Sequence, residues 1–124
     1  MSDSGIDENA IKALQELGGG SFVIQMIDIF MDYVPKLIAE GRDGLAKGNL
    51  EPVVRMGHSL RSSGRNVGAI KLVELAQRVE SAGRAGHLSE LSALIDQVEQ
   101  AFIQAKDCLE KHKGALGDVM PTVS

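Results

Sequence analysis

The stretch His58-Ser59-Leu60-Arg61-Ser62-Ser63-Gly64-Arg65 sets a single imidazole among guanidinium groups at helical spacing. At roughly 100° per residue, Val53, Met56, Gly57 and Leu60 share one apolar arc, which Gly64 and Val67 extend if the helix runs on. His58 falls near the opposite side, with Arg55, Arg61, Ser62 and Arg65. That position is not core packing, and no acid close by in sequence marks an ordinary surface ion pair. A histidine that attacks a phosphoryl group needs this setting: exposure for a partner's approach and fixed positive charge for the phosphate oxygens. The plainer alternative is a solvated helix face that holds one histidine and several arginines.

Glu80 is the second residue that requires an account. On a helical wheel it lies beside Ala69, Val73 and Ala76, in or at the edge of an apolar stripe, where a carboxylate is rarely buried unless paired. In one reading it sits at the rim, reaches water and pairs with Arg84 one turn on. The remaining candidates are weaker. His87 follows Gly86 at a helix junction and reads as an exposed turn residue. His112 ends the last predicted helix, where a cation complements the helix dipole. Cys108 and His112 are four apart, but two ligands do not make a metal site. No Glu-x-x-His pair supports a di-metal bundle core, and no P-loop or Gly-rich nucleotide fingerprint is present.

The elements that must position these residues read as helices with short breaks. Residues 1–5 are small and polar and are expected to be flexible. Ile6-Asp7 opens a short helix with Ile11, Leu14 and Leu17 at three-residue spacing, ended by Gly18-Gly19-Gly20. A longer helix runs from an N-cap at Ser21 to Gly48, with Val23, Ile27, Phe30, Val34, Leu37, Ile38 and Leu45 on its stripe. Pro35 should kink or divide it. Asn49 caps the helix that carries His58, with Pro52 in its first turn. That helix ends near Asn66 and Gly68, and the next spans Ala69 to about Gly86, with Leu72, Val73, Ala76, Val79 and Gly83 inward. Leu88, Leu91, Ile95, Val98, Phe102, Ala105 and Leu109 mark a last helix to about Lys111 at spacings of three and four. Four long amphipathic helices with short connections predict an all-α, antiparallel four-helix bundle with a short N-terminal capping helix. The domain is then 6–112, and 113–124 is expected to be a flexible tail.

Composition agrees with one helical domain. At 124 residues the chain supports one core. It is 44% hydrophobic but only 3% aromatic, so the core must be aliphatic side chains, Met and Ala. A net charge of −4 argues against a nucleic-acid binder, whose phosphate contacts need a net basic surface. One cysteine, Cys108, suits a reducing cytoplasm. No apolar run is long enough to cross a bilayer and no signal-peptide pattern opens the chain. Met1 and the aperiodic tail lead to the expectation of a free-standing protein, and the cysteine usage to the expectation of a cytoplasmic one.

The segment resembles the phosphoacceptor motif of histidine phosphotransfer (HPt) domains, over roughly residues 7–112. In that motif a His is followed by Leu, Lys, Gly, one or two Ser, and a hydrophobic-Gly pair. Here Leu60, Arg61, Ser63 and Val67-Gly68-Ala69 fill the pattern. Ser62 stands where Gly is usual, Gly64 where Ser is common, and Arg61 replaces Lys.

The resemblance implies a carrier that takes a phosphoryl group onto His58 from an aspartate of a receiver domain and passes it to another receiver, in response regulators or hybrid sensor kinases. Arg61 would offset charge on the transferring group, and Glu80, or Gln77 one turn earlier, would accept a hydrogen bond from His58 Nδ1–H and fix its tautomer. Val54, Arg55, Ser62 and Arg65 would border the docked receiver. No cofactor is expected on this chain; Mg²⁺ belongs to the partner receiver. The chain is expected to be a monomer without its own ATP site. Two other classes are an adaptor that docks receivers without accepting phosphate, and a helical dimerisation domain built on the Leu88–Leu109 heptads.

Overall fold

Four helices carry the chain, and the fold follows from which of their faces are apolar. The computed structural model describes residues 6–119, with side chains to residue 116. The expected flexible residues 1–5 and the last part of the expected tail, 120–124, lie outside the described residues. The Asp7 carboxylate accepts a 3.0 Å hydrogen bond from the Asn9 N–H and starts α1 (Glu8–Ala46). It is followed by α2 (Glu51–Val67), α3 (Ile70–Ala85) and α4 (Leu88–Val119). Gly68 and Gly86, both at φ 75°, end α2 and α3 in the left-handed conformation that only glycine adopts cheaply. The turns at Gly68 and Gly86 are short enough to force antiparallel neighbours. Helices α1 and α2, α2 and α3, and α3 and α4 pack in sequence, and α4 closes on α1.

The core is aliphatic, as the composition requires. Val23, Ile27, Phe30, Val34, Leu37 and Ile38 of α1 meet Val53, Met56, Leu60 and Val67 of α2. Leu72, Leu75, Ala76 and Val79 of α3 and Leu91, Ile95, Val98, Phe102, Ala105 and Leu109 of α4 complete it. The Phe30 and Phe102 rings are tilted with centroids 5.6 Å apart, joining α1 to α4. The N-terminal arm of α1 covers the α2–α3 turn. Ile6 is buried and bridged to Ala69, and the Asp7 N–H donates to the Gly68 carbonyl at 2.7 Å.

The predicted bundle is correct in class and in order, with four local differences. α1 breaks at Gly19 (φ 79°, ψ −175°), one residue of the glycine run, and its backbone stays helical through Pro35. Pro35 is exposed, so the carbonyl that its ring leaves unpaired can be solvated. Leu17 and Leu88, expected on inner stripes, are exposed at the ends of their segments. Asn49 accepts from the Glu51 N–H at 3.2 Å, although the helix boundary falls at Leu50. Finally, α4 runs to Val119, so residues 113–119 are helical and the expected flexible tail is corrected there. Leu116 packs on the core and Lys113 reaches Asp28, contacts that outweigh the poor helix propensity of Gly114 and Gly117.

Candidate functional site

Glycine brings the two site-bearing helices together. A Cβ on Gly57 would lie 2.8 Å from the Ala76 carbonyl oxygen and 2.8 Å from the Glu80 backbone nitrogen. One on Gly83 would lie 2.9 Å from Val54 Cγ2. Only glycine fits at such separations, so α2 and α3 approach closely at both points. Gly57 immediately precedes His58, and its contact sets the backbone of Glu80 against the helix that raises His58.

Val53, Met56, Gly57 and Leu60 face the core, which leaves the His58 side chain 66% exposed on the far side. Glu80 is the one buried charged residue among the described side chains, at 10% side-chain exposure. It is paired on both oxygens. Oε1 lies 3.1 Å from an Arg61 Nη, and Oε2 accepts a 2.8 Å hydrogen bond from Arg84. The same Oε2 lies 3.7 Å from His58 Nδ1. The bond from Arg84 is the main reason that the Glu80 carboxyl is held below its ordinary value; burial opposes the shift, and the charges of Arg61, Arg84 and His58 add to it.

Several expectations are sharpened or corrected here. Glu80 does not reach out to water from the rim; it is buried, paired with Arg84, and beside His58 at once. The Nδ1 to Oε2 distance is an electrostatic contact, too long for the direct hydrogen bond that was expected. Gln77 is exposed in a shallow groove with Arg78, Ser81, His87 and Leu94, so it is not the residue at His58. Arg61 is not free on the polar face. Its side chain is only 26% exposed, it is held by Glu80, and its Nε is buried without a hydrogen-bond partner.

Arg84 is the residue that the sequence reading missed as a member of the site. With Glu51, Val54, Arg55 and His58 it lines an open depression, and it is 65% exposed. The signal was present in its i,i+4 spacing from Glu80, but that spacing reads equally as a plain surface pair.

The outer residues divide. Val54 is half-buried and lines the depression beside His58. Arg55 is exposed and lies 3.5 Å from Glu51, so an acid one turn back does reach this face. Ser62 is exposed one turn beyond His58. Arg65, also exposed, lines a separate depression with Asp7, Ala10, Gly68 and Ile70. His87 is an exposed junction residue 3.4 Å from Glu90. His112 is half-buried against the Cys108 carbonyl at 3.1 Å, and it lies inside α4 rather than at its end.

A four-helix antiparallel bundle with an exposed histidine on its second helix is the architecture of a histidine phosphotransfer domain. The sequence profile described as "Hpt domain" matches residues 25–109, most of the chain, and the protein belongs to that family: it is a phosphotransfer carrier of phosphorelays. Its fold is similar to the crystal structure of histidine-containing phosphotransfer protein B (HptB) from Pseudomonas aeruginosa PAO1. The TM-score is 0.86, with 92% of this chain and 98% of that chain covered; at 22% identity the likeness concerns the fold. No curated protein matches. Among the described residues, no helix is long and apolar enough to cross a membrane.

Proposed function

We propose that His58 is the phosphoacceptor, taking a phosphoryl group from a receiver-domain aspartate and returning it to another receiver in a cytoplasmic phosphorelay. The observation that carries this reading is the pairing of an exposed imidazole with a buried carboxylate, which two guanidinium groups hold beside Nδ1. A carboxylate on that side favours the tautomer with the proton on Nδ1, so the Nε2 lone pair faces outward. Nε2 then attacks phosphorus as the aspartyl oxygen leaves. Glu80 is a positioning residue for the ring. Arg61, enclosed behind it, supplies fixed positive charge at a site where negative charge arrives.

The receiver brings its own Mg²⁺ and docks over Val54, Arg55, Ser62 and Arg65, and this chain acts as a monomer. Ser62 replaces the smaller glycine on that path, and its exposed hydroxymethyl group leaves the aspartate room to approach. A panel of phosphorylated receivers tests the reading. Transfer of label to this protein from at least one receiver, and back to a second, supports it. An adaptor that only docks would bind receivers in the same panel and acquire no label, and that result would sink the proposal.

A further inference from the structure

Glu80 Oε2 faces two groups at once. It accepts the 2.8 Å bond from Arg84 and lies 3.7 Å from His58 Nδ1, so in this state the arginine has the closer hold. The other oxygen belongs to Arg61, whose enclosed side chain has little freedom to leave. Arg84 differs in both respects. It is largely exposed, and it shares the depression beside His58 with Val54 and Arg55. Arg55 also lines the depression, in a loose 3.5 Å exposed pair with Glu51, but it makes no contact with Glu80. The exposed cation beside His58 that shares a carboxylate oxygen with its ring is therefore Arg84.

Resting on the assignment of His58 as acceptor, we propose that Arg84 is a mobile phosphoryl ligand: it passes from Glu80 to the phosphoryl group on His58, and its departure frees Oε2 to close on Nδ1–H. The chemistry gives this exchange a direction. As the Nε2 lone pair forms the N–P bond, the aspartyl O–P bond breaks and its electron pair returns to the aspartate carboxylate. Nδ1 keeps its proton throughout, so the ring becomes cationic and no proton crosses the site. Nearly two negative charges then stand on the outer side of the ring and one positive charge within it. A guanidinium prefers the phosphoryl oxygens, where it forms charge-assisted bonds, and a carboxylate oxygen prefers the N–H of a cationic ring. When the phosphoryl group leaves for the next aspartate, the ring is neutral again and Arg84 returns to Oε2. The single shared oxygen thus couples the charge on the ring to the position of the arginine.

The test uses phosphoramidate, a small donor that releases ammonia and needs no receiver, with ¹⁵N NMR of the intact protein. On phosphorylation of His58, the Arg84 guanidinium resonances should move and a slowly exchanging Nδ1–H should emerge. In Arg84→Ala the competitor is absent, so the unphosphorylated protein should already show that protected Nδ1–H. Its phosphohistidine should hydrolyse about ten-fold faster, the scale of one charge-assisted hydrogen bond, and Arg84→Lys should restore part of the lifetime. Labelled His58 with unmoved Arg84 resonances, or an Nδ1–H in Arg84→Ala unchanged from the parent, would overturn the exchange and leave the acceptor assignment standing. Failure of His58 to take label from either phosphoramidate or any receiver would overturn the acceptor assignment, and the exchange with it.

Discussion

Two seams of this bundle solve the same electrostatic problem with opposite signs. Between α2 and α3, one carboxylate, Glu80, is held by two arginines, Arg61 and Arg84. Between α1 and α4, one arginine, Arg42, is held by two carboxylates, Asp96 at 3.0 Å and Glu99. Arg42 is pushed further toward its charged form, chiefly by its bond to Glu99, as Glu80 is by its bond to Arg84. The surroundings differ. Close glycine packing is common to both, since Gly41 beside Arg42 is set against Met56, and Asp96 also borders a shallow groove. But Asp96 is 67% exposed, and among the described residues neither it nor Glu99 is paired with a histidine, so that cluster ties two helices together at the surface. Glu80 is buried where glycine lets two helices nearly touch, and its cluster leaves an excess of positive charge beside an exposed imidazole. Both clusters are paired; what sets the Glu80 cluster apart is burial of its central charge next to an exposed imidazole, the arrangement on which the proposal for His58 rests.

The largest expected contrast between the seams is in phosphoryl transfer. Arg61→Ala should slow transfer from a phosphorylated receiver by about ten- to a thousand-fold, roughly 1.4 to 4 kcal/mol of barrier. Glu80→Ala should be impaired over a similar range, with Glu80→Gln milder, while Arg42→Ala should transfer at the parent rate. Equal rates for all of these variants in stopped-flow assays would remove the distinction.

Next in size is the helix contact itself. Gly57→Ala places a Cβ 2.8 Å from backbone atoms of α3, which should cost about 1–3 kcal/mol of overpacking. Gly114, with open space around its Cβ, should accept alanine without loss. Urea denaturation of the two variants compares them directly.

The acid limb of stability is a smaller effect. The folded-state value for Glu80 lies below its ordinary value of 4.5, so the unfolded chain binds the proton more readily. The stabilisation from this carboxylate is full above about pH 4.5 and is lost as pH falls through the lower folded value. The stability gap between the parent and Glu80→Gln should accordingly be widest near neutrality and narrow below pH 4.5, as read by urea midpoints across that range. The smallest effect should be at the outer seam, where Arg42→Ala removes a solvent-exposed network worth about 0–1 kcal/mol and should lower Tm by no more than a few degrees.

The parts legible in the sequence were those governed by periodicity. The inner residues Val53, Met56, Gly57, Leu60, Gly64 and Val67 of α2 are all buried, which is why His58 could be placed outside. Glu80 stood out because a carboxylate interrupts an apolar stripe, a conflict that only tertiary pairing resolves. Long-range terms were not legible. The membership of Arg84 depends on the angle between α2 and α3, and that angle depends on what a missing Cβ allows at Gly57 and Gly83. The helical continuation past Lys111 depends on Leu116 and Lys113 meeting partners distant in sequence. Leu88 has the spacing of a core residue but begins its helix beyond the reach of the bundle.

The central claim is that His58 alone carries the phosphoryl group. Incubation with a phosphorylated receiver, followed by acid and base treatment of the labelled protein, tests it directly. The parent should hold an acid-labile, base-stable label, and His58→Gln, altered only at an exposed position, should keep its fold and hold none. Label of that stability persisting in His58→Gln would place the chemistry at His87 or His112 and contradict the account.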